Sequence, residues 1–134
     1  MKNEKEILEN FGKLIITEAY DPAIEDLYRL FEGNTGLNIN KRIALLLNGL
    51  DEKDKEIFLR YIKQVICTNI FAIMHILENK SLPYRLYYEK EDFKVELTDL
   101  SENFKAEIII ETGWVHKFSK FKDEIGKEWW NIIE

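Results

Sequence analysis

EKDKEIFLRYIKQVICTNIFAIMHILEN, residues 52–79, is the stretch whose reading decides the fold. Asp51 stands before it as a helix N-cap, and Glu52, Asp54 and Glu56 load the first turn with negative charge, which suits the positive end of a helix dipole. Ile57, Phe58, Tyr61, Ile62, Val65, Ile66, Ile70, Ile73, Met74 and Leu77 recur at helical spacing. That apolar face is wider than a single neighbour can cover, so the helix is expected to be the spine of the core, with elements on more than one side. Arg60, Lys63, Gln64, Asn69 and His75 interrupt the run, which argues against a transmembrane span. Cys67, the single cysteine, sits inside it and reads as a small buried side chain. A reactive thiol would need a local cation and exposure.

Upstream, residues 4–19 have the rhythm of an amphipathic helix with Ile7, Phe11, Leu14 and Ile15 on one stripe. Gly12 within it costs about 1 kcal/mol relative to Ala. Asp21-Pro22 is expected to start a second helix, Asp as cap and Pro in the first turn, with Ile24, Leu27, Tyr28 and Phe31 on its stripe and Gly33 as its stop. After a loop at 33–36, Asn38 or Asn40 can cap a short third helix carrying Ile43, Leu46, Leu47 and Leu50, which Asn48-Gly49 ends.

Downstream of Pro83 the period changes to two. Tyr84, Leu86 and Tyr88 share a face, and in residues 93–97 apolar and charged side chains alternate. Two strands joined by Lys90-Glu91-Asp92 form a hairpin whose turn lacks the glycine such turns favour. Residues 101–112 read either as a short helix capped by Ser101, the preferred reading, or as a third strand. Trp114, Phe118 and Phe121 fit a further helix that Gly126 breaks, and Trp129-Trp130-Asn131-Ile132-Ile133 is apolar enough to require docking. The fold class expected is mainly α: one compact domain over residues 1–134, a helical bundle around the long helix (about 52–79) with a small antiparallel β-hairpin (about 84–98).

Net charge −6 on 134 residues argues against nucleic acid or an anionic membrane surface as main partner, since both need a basic footprint. The acid is concentrated. From Glu89 to Glu111 there are eight carboxylates against Lys90, Lys94 and Lys105. Met1 to Glu6 carries both signs of charge and precedes no signal-type apolar run, so a cytoplasmic location is expected. Fifteen lysines against four arginines and eighteen isoleucines against five alanines match the codon bias of an AT-rich bacterial genome.

No nucleophile elbow, phosphate loop, dinucleotide fingerprint or zinc-protease motif occurs. His75 and Glu78 share a helix face, but one such pair is short of a metal site, so no metal or cofactor is expected. Glu111, Trp114 and His116 put a carboxylate, an indole and an imidazole close together, which could form an acid/base pocket of a small enzyme or ligand-binding protein. The plainer reading is a helix start with Trp114 in the core and His116 in water. The acidic stretch is either a solvated face or a recognition surface for a basic protein, with Tyr87, Glu91, Asp92 and Glu96 of the hairpin as its contacts.

The segment Glu107 to Phe121, with Glu111-Thr112-Gly113-Trp114-Val115-His116-Lys117-Phe118-Ser119, resembles the C-terminal signature of a group of small uncharacterised bacterial proteins. Their pattern runs acidic-x-Gly-Trp-Ile-x-x-Phe-Ser-x-Tyr after a long helix. The group often bears a His-Asp pair on that helix; here Phe71-Ala72 stand at the matching positions. The resemblance implies a shared fold and carries no activity with it. Together these readings point to a protein-binding module of the immunity-protein or antitoxin kind that inhibits a basic partner.

Overall fold

The computed structural model describes residues 3–32 and 38–121, with only the backbone for 38–40. The anticipated stop at Gly33, the loop at 33–36, the side chains of Asn38 and Asn40, the break at Gly126 and the apolar run 129–133 lie outside what is described. The first helix, α1 (Glu4–Ile15), is capped by the Asn3 side chain, which accepts from the Glu6 amide at 2.8 Å. It does not end before the second. A π turn (Ile16–Tyr20) joins it to α2 (Asp21–Phe31) without leaving helical backbone. Pro22 explains the widened turn: it has no N–H for the Glu18 carbonyl, and its ring crowds that carbonyl. The Asp21 amide reaches back five residues to Ile16 instead. Asp21 is therefore not the cap its sequence context suggests. Its buried carboxylate accepts from Ser119 Oγ at 2.6 Å and the Lys120 amide at 3.1 Å, tying the start of α2 to the C-terminal segment.

Helix α3 (Asn38–Asn48) buries Ala44 and Leu47. The long helix α4 (Glu52–Glu78) follows, 27 residues and about 40 Å from end to end. Asp51 caps it, accepting from the Asp54 amide at 2.8 Å. It turns Leu59, Lys63, Cys67 and Met74 into the core, and Ile66, Ile70 and Phe71 pack beside them. Strands β1 (Tyr87–Lys90) and β2 (Phe93–Glu96) pair antiparallel, Tyr88 opposite Val95 and Lys90 opposite Phe93. Tyr88, Phe93 and Val95 pack on the core, as strand alternation requires. The hairpin is shorter than 84–98 because Leu97–Leu100 curls into a 3-10 turn that buries Leu97 and Thr98.

Residues 101–112 form neither the α-helix nor the strand anticipated. Phe104–Ile108 is a second 3-10 turn, burying Phe104 and Ile108. It is clamped to α4 by Lys105, whose ammonium lies 3.0 Å from Glu78 Oε1. Partial burial would raise the Glu78 carboxyl's pKa, but hydrogen bonds from the Lys105 ammonium and amide hold it below the ordinary value. The last described helix, α5 (Trp114–Phe118), stops at Ser119 instead of running on, because Ser119 and Lys120 are drawn onto Asp21. Phe121 then stacks on Tyr28 at 5.4 Å.

Trp114 closes the structure. Its ring, 1% exposed, meets Phe11 and Phe104 edge-to-face at 5.8 and 5.9 Å. It packs against Gly12 of α1, where a Cβ would stand inside the indole's van der Waals envelope. A Cβ on Gly113 would likewise overlap the Glu107 carbonyl. Gly12 is thus the recess that admits Trp114, and the helix accepts the propensity cost for it. Gly12→Ala is expected to destabilise the fold by about 1–2 kcal/mol, an overpacking cost of about 2–3 kcal/mol outweighing the roughly 1 kcal/mol gain in helix propensity. A urea titration reads this; a stabilised variant would contradict the packing.

Beside this core, Cys67 is 1% exposed. Burial pushes its thiol up to about 12, against weaker opposing pulls from a Tyr20 hydrogen bond and the Lys63 charge. The folded chain keeps this proton where the unfolded chain loses it, so stability is full below about pH 9 and falls towards pH 12, by at most about 1.4 kcal/mol per pH unit. Between those limits the wild-type unfolding free energy is expected to fall more steeply with pH than that of Cys67→Ala. Equal slopes in denaturant titrations would contradict it.

Candidate functional site

The hairpin stands on the molecule by an ionic buckle at its base. Glu96, whose side chain is 14% exposed, accepts from Lys80 at 2.5 Å and from Thr98 Oγ1 at 3.1 Å, and lies 3.5 Å from Arg85 Nε. Lys80 also reaches Asp99 at 3.1 Å. Its ammonium pKa is raised, first by the hydrogen bond to Glu96 and then by Asp99. Arg85 donates to the carbonyls of Lys80 and Tyr84 at 2.8 and 2.7 Å, closing the loop between α4 and β1. Glu96 is consequently spent inside the protein. The contact anticipated for it with a partner is taken up by Lys80 and Arg85.

At the other end of the hairpin, Glu91 and Asp92 make a two-residue turn and both are exposed. Glu91 has φ 55° and is the sole non-glycine with positive φ among the described residues. Two-residue hairpin turns take positive φ at their first central position, where glycine is the cheapest residue. A side chain there costs about 1 kcal/mol. Tyr87 is 47% exposed on the outward face, with the Lys94 ammonium 4.4 Å from its ring centroid. Glu91 and Asp92 are therefore exposed at the tip, while Tyr87, also exposed, stands at the foot opposite Glu96.

Between β1 and α1 lies a cleft of about 290 Å³, walled by Ile7, Phe11, Leu14, Leu86, Tyr87 and Tyr88, with Asn10 as a polar group. Leu14, read from sequence as part of the core stripe, is 56% exposed and forms the rim. Strand alternation singles out Tyr87, but nothing in the sequence places α1 beside it, so Asn10 and Leu14 are found only through the fold. A shallower depression of about 370 Å³ lies on α2 between Glu25, Tyr28, Arg29, Glu32 and Phe121.

Glu111, Trp114 and His116 do not converge. Trp114 is buried in the core, whereas Glu111 and His116 are exposed. Gly113 starts α5 with an extended backbone that turns the indole inward, and His116 follows on the solvent side. His75 is also exposed, 3.8 Å from Glu78 and 3.3 Å from Lys105 Nζ, where a competing ammonium occupies the carboxylate. Among the described residues no group of three or more His, Cys, Asp and Glu is placed to hold a metal ion. No family model, curated protein or solved structure matches the chain.

The turn geometry gives a direct test. Glu91→Gly is expected to raise the unfolding free energy by about 0.5–1 kcal/mol, because glycine adopts positive φ without a Cβ penalty. A midpoint shift in urea reads it, and an unchanged or lowered stability would contradict the turn conformation.

Proposed function

We propose that the protein is a binding module acting in the cytoplasm, of the immunity-protein or antitoxin kind, which occludes a basic partner protein. Glu91 and Asp92 at the hairpin tip meet the partner's cationic side chains, and Tyr87 with the cleft against α1 receives an apolar side chain. The observation that carries this reading is the tip itself. An exposed turn keeps a carboxylate residue in a backbone conformation that glycine would hold at lower cost, on a hairpin whose foot borders an open, mainly apolar cleft. Strain retained at an exposed position motivates a functional reading. The overall charge of −6 supports it through steering, since long-range attraction raises the association rate with a basic protein.

Tagged wild-type protein and a double variant, Glu91→Lys with Asp92→Lys, used as paired baits in the native host, test the proposal. The expected outcome is a basic protein enriched by the wild type, lost from the double variant, and weakened by added salt, because exposed charges are screened beyond about 8 Å at physiological ionic strength. The double variant is expected to unfold at the wild-type midpoint. Glu96→Lys is expected to lower stability by about 1–3 kcal/mol, having turned a cation against Lys80 and Arg85. A basic partner captured equally by both baits would overturn the tip assignment, and no captured protein would overturn the function.

A further inference from the structure

β1 is an edge strand whose outer side is open. The Leu97 amide donates to the Leu86 carbonyl at 2.9 Å, which fixes the phase of the ladder. Leu86, Tyr88 and Lys90 turn their N–H and C=O groups towards β2, and Tyr87 and Glu89 turn theirs the other way. Among the described residues nothing bonds to the main-chain groups of Tyr87 and Glu89. The cleft of about 290 Å³ lies along the same strand: Leu86, Tyr87 and Tyr88 line it, whereas no residue of β2 does. Its opposite wall is α1, with Phe11 half-buried and Leu14 exposed. Carboxylates continue the line to the tip. Glu89, Glu91 and Asp92 are exposed, and among the described residues none of them is ion-paired. Lys94 stands opposite Glu89 in the ladder, yet its ammonium lies over the Tyr87 ring instead.

We infer that the partner is held by an extended segment that adds to β1 as a third, antiparallel strand, its basic side chains alternating with apolar ones. The inference rests on the function proposed above and names the part of the partner that binds. Three observations select this occupant. First, open N–H and C=O groups at a sheet edge pair with the main chain of an incoming strand, and Tyr87 and Glu89 each offer both. Second, the cleft and the acidic tip stand at opposite ends of β1, about 13 Å apart. A segment of about four extended residues reaches both, where a helix of the same length spans about half that distance. Third, the charge is complementary in register. The residue opposite Glu89 shares its outward face, where an arginine or lysine meets the unpaired carboxylate. The residue opposite Tyr88 faces inward, into the cleft between Leu86 and the Phe11 and Leu14 side chains. The outer edge of β2 offers no such match, since Lys94 lies on Tyr87 and Glu96 is held by Lys80 and Arg85.

Short random peptides displayed on phage and panned against the full chain test this inference. The peptides selected are expected to alternate arginine or lysine with apolar residues. In the complex with one of them, the Tyr87 and Glu89 amides are expected to exchange at least tenfold more slowly than in the free protein. Those of Tyr88 and Lys90, already bonded to β2, are expected to be unchanged. N-methylation of the peptide at its basic residues is expected to abolish binding, and at its apolar residues to leave it, because an antiparallel strand turns only the amides of the former to β1. Leu14→Lys, a change at an exposed helical position on the cleft rim, is expected to weaken binding at least tenfold with the unfolding midpoint unchanged. Selected peptides without the alternation overturn the inference, as do no selected peptides, unslowed Tyr87 and Glu89 amides, or the reverse pattern of N-methylation. A dimer in which those two amides are slow without peptide also overturns it and gives the edge to a second copy. The proposed function is judged separately. A basic protein captured in the native host by the wild type, lost with Glu91→Lys and Asp92→Lys, but held equally by Leu14→Lys would keep that function and overturn the added strand.

Discussion

The seating of Trp114 on Gly12 is the contact on which the other elements depend. An indole is the largest side chain available, and burying one contributes several kcal/mol when its surroundings fit. Here the fit comes from two separate stretches: α1, with the gap at Gly12 and the ring of Phe11 beside it, and the 3-10 turn, with Phe104. The same contact fixes where the chain goes next. With Trp114 inward and Gly113 against the Glu107 carbonyl, α5 can place Ser119 on Asp21, and Lys120 follows onto the same carboxylate. Asp21 in turn sits at the π turn that Pro22 imposes, so α1, α2, α5 and the turn at 104–108 are set by one cluster of contacts.

Local signals in the amino-acid sequence specify much of this arrangement. Asp51, the acidic first turn and the ten apolar residues of α4 dictate a long helix because caps and period act over a few residues. The β1–β2 alternation dictates a hairpin for the same reason. What the sequence hides is whatever depends on partners distant along the chain. Asp21-Pro22 looks like the start of a new helix, yet Tyr20 keeps helical backbone and the carboxylate is claimed by Ser119. Residues 104–108 carry both periods at once, and the clamp from Lys105 to Glu78 decides for a tight turn. Gly12 reads as a defect until the ring that fills its place is known. In the Gly-Trp segment, the close approach of Gly113 to the Glu107 carbonyl and the seat of Trp114 on Gly12 give both residue types a steric reason.

The surface divides by the same logic. Of the acidic residues between 89 and 111, Glu96 is consumed by Lys80 and Arg85, and Glu107 accepts from Ser101 Oγ at 2.8 Å. Glu91 and Asp92 remain exposed in the two-residue turn at the far end of the hairpin. The ionic foot at Glu96 and the apolar underside of Tyr88, Phe93 and Val95 hold the hairpin at a fixed angle. On the reading we propose, such a support would cost the hairpin little freedom on binding, which favours affinity.

Native-state hydrogen exchange on Trp114→Phe tests the dependence on this one contact most directly. If Trp114 unites α1, the 104–108 turn and α5, their slowest-exchanging amides open as one cooperative unit and lose protection by the same free energy. The amides of β1 and β2, held by their own ladder and the Glu96 buckle, lose less. Protection lost from α5 alone, with α1 and the 104–108 turn unchanged, would contradict the account.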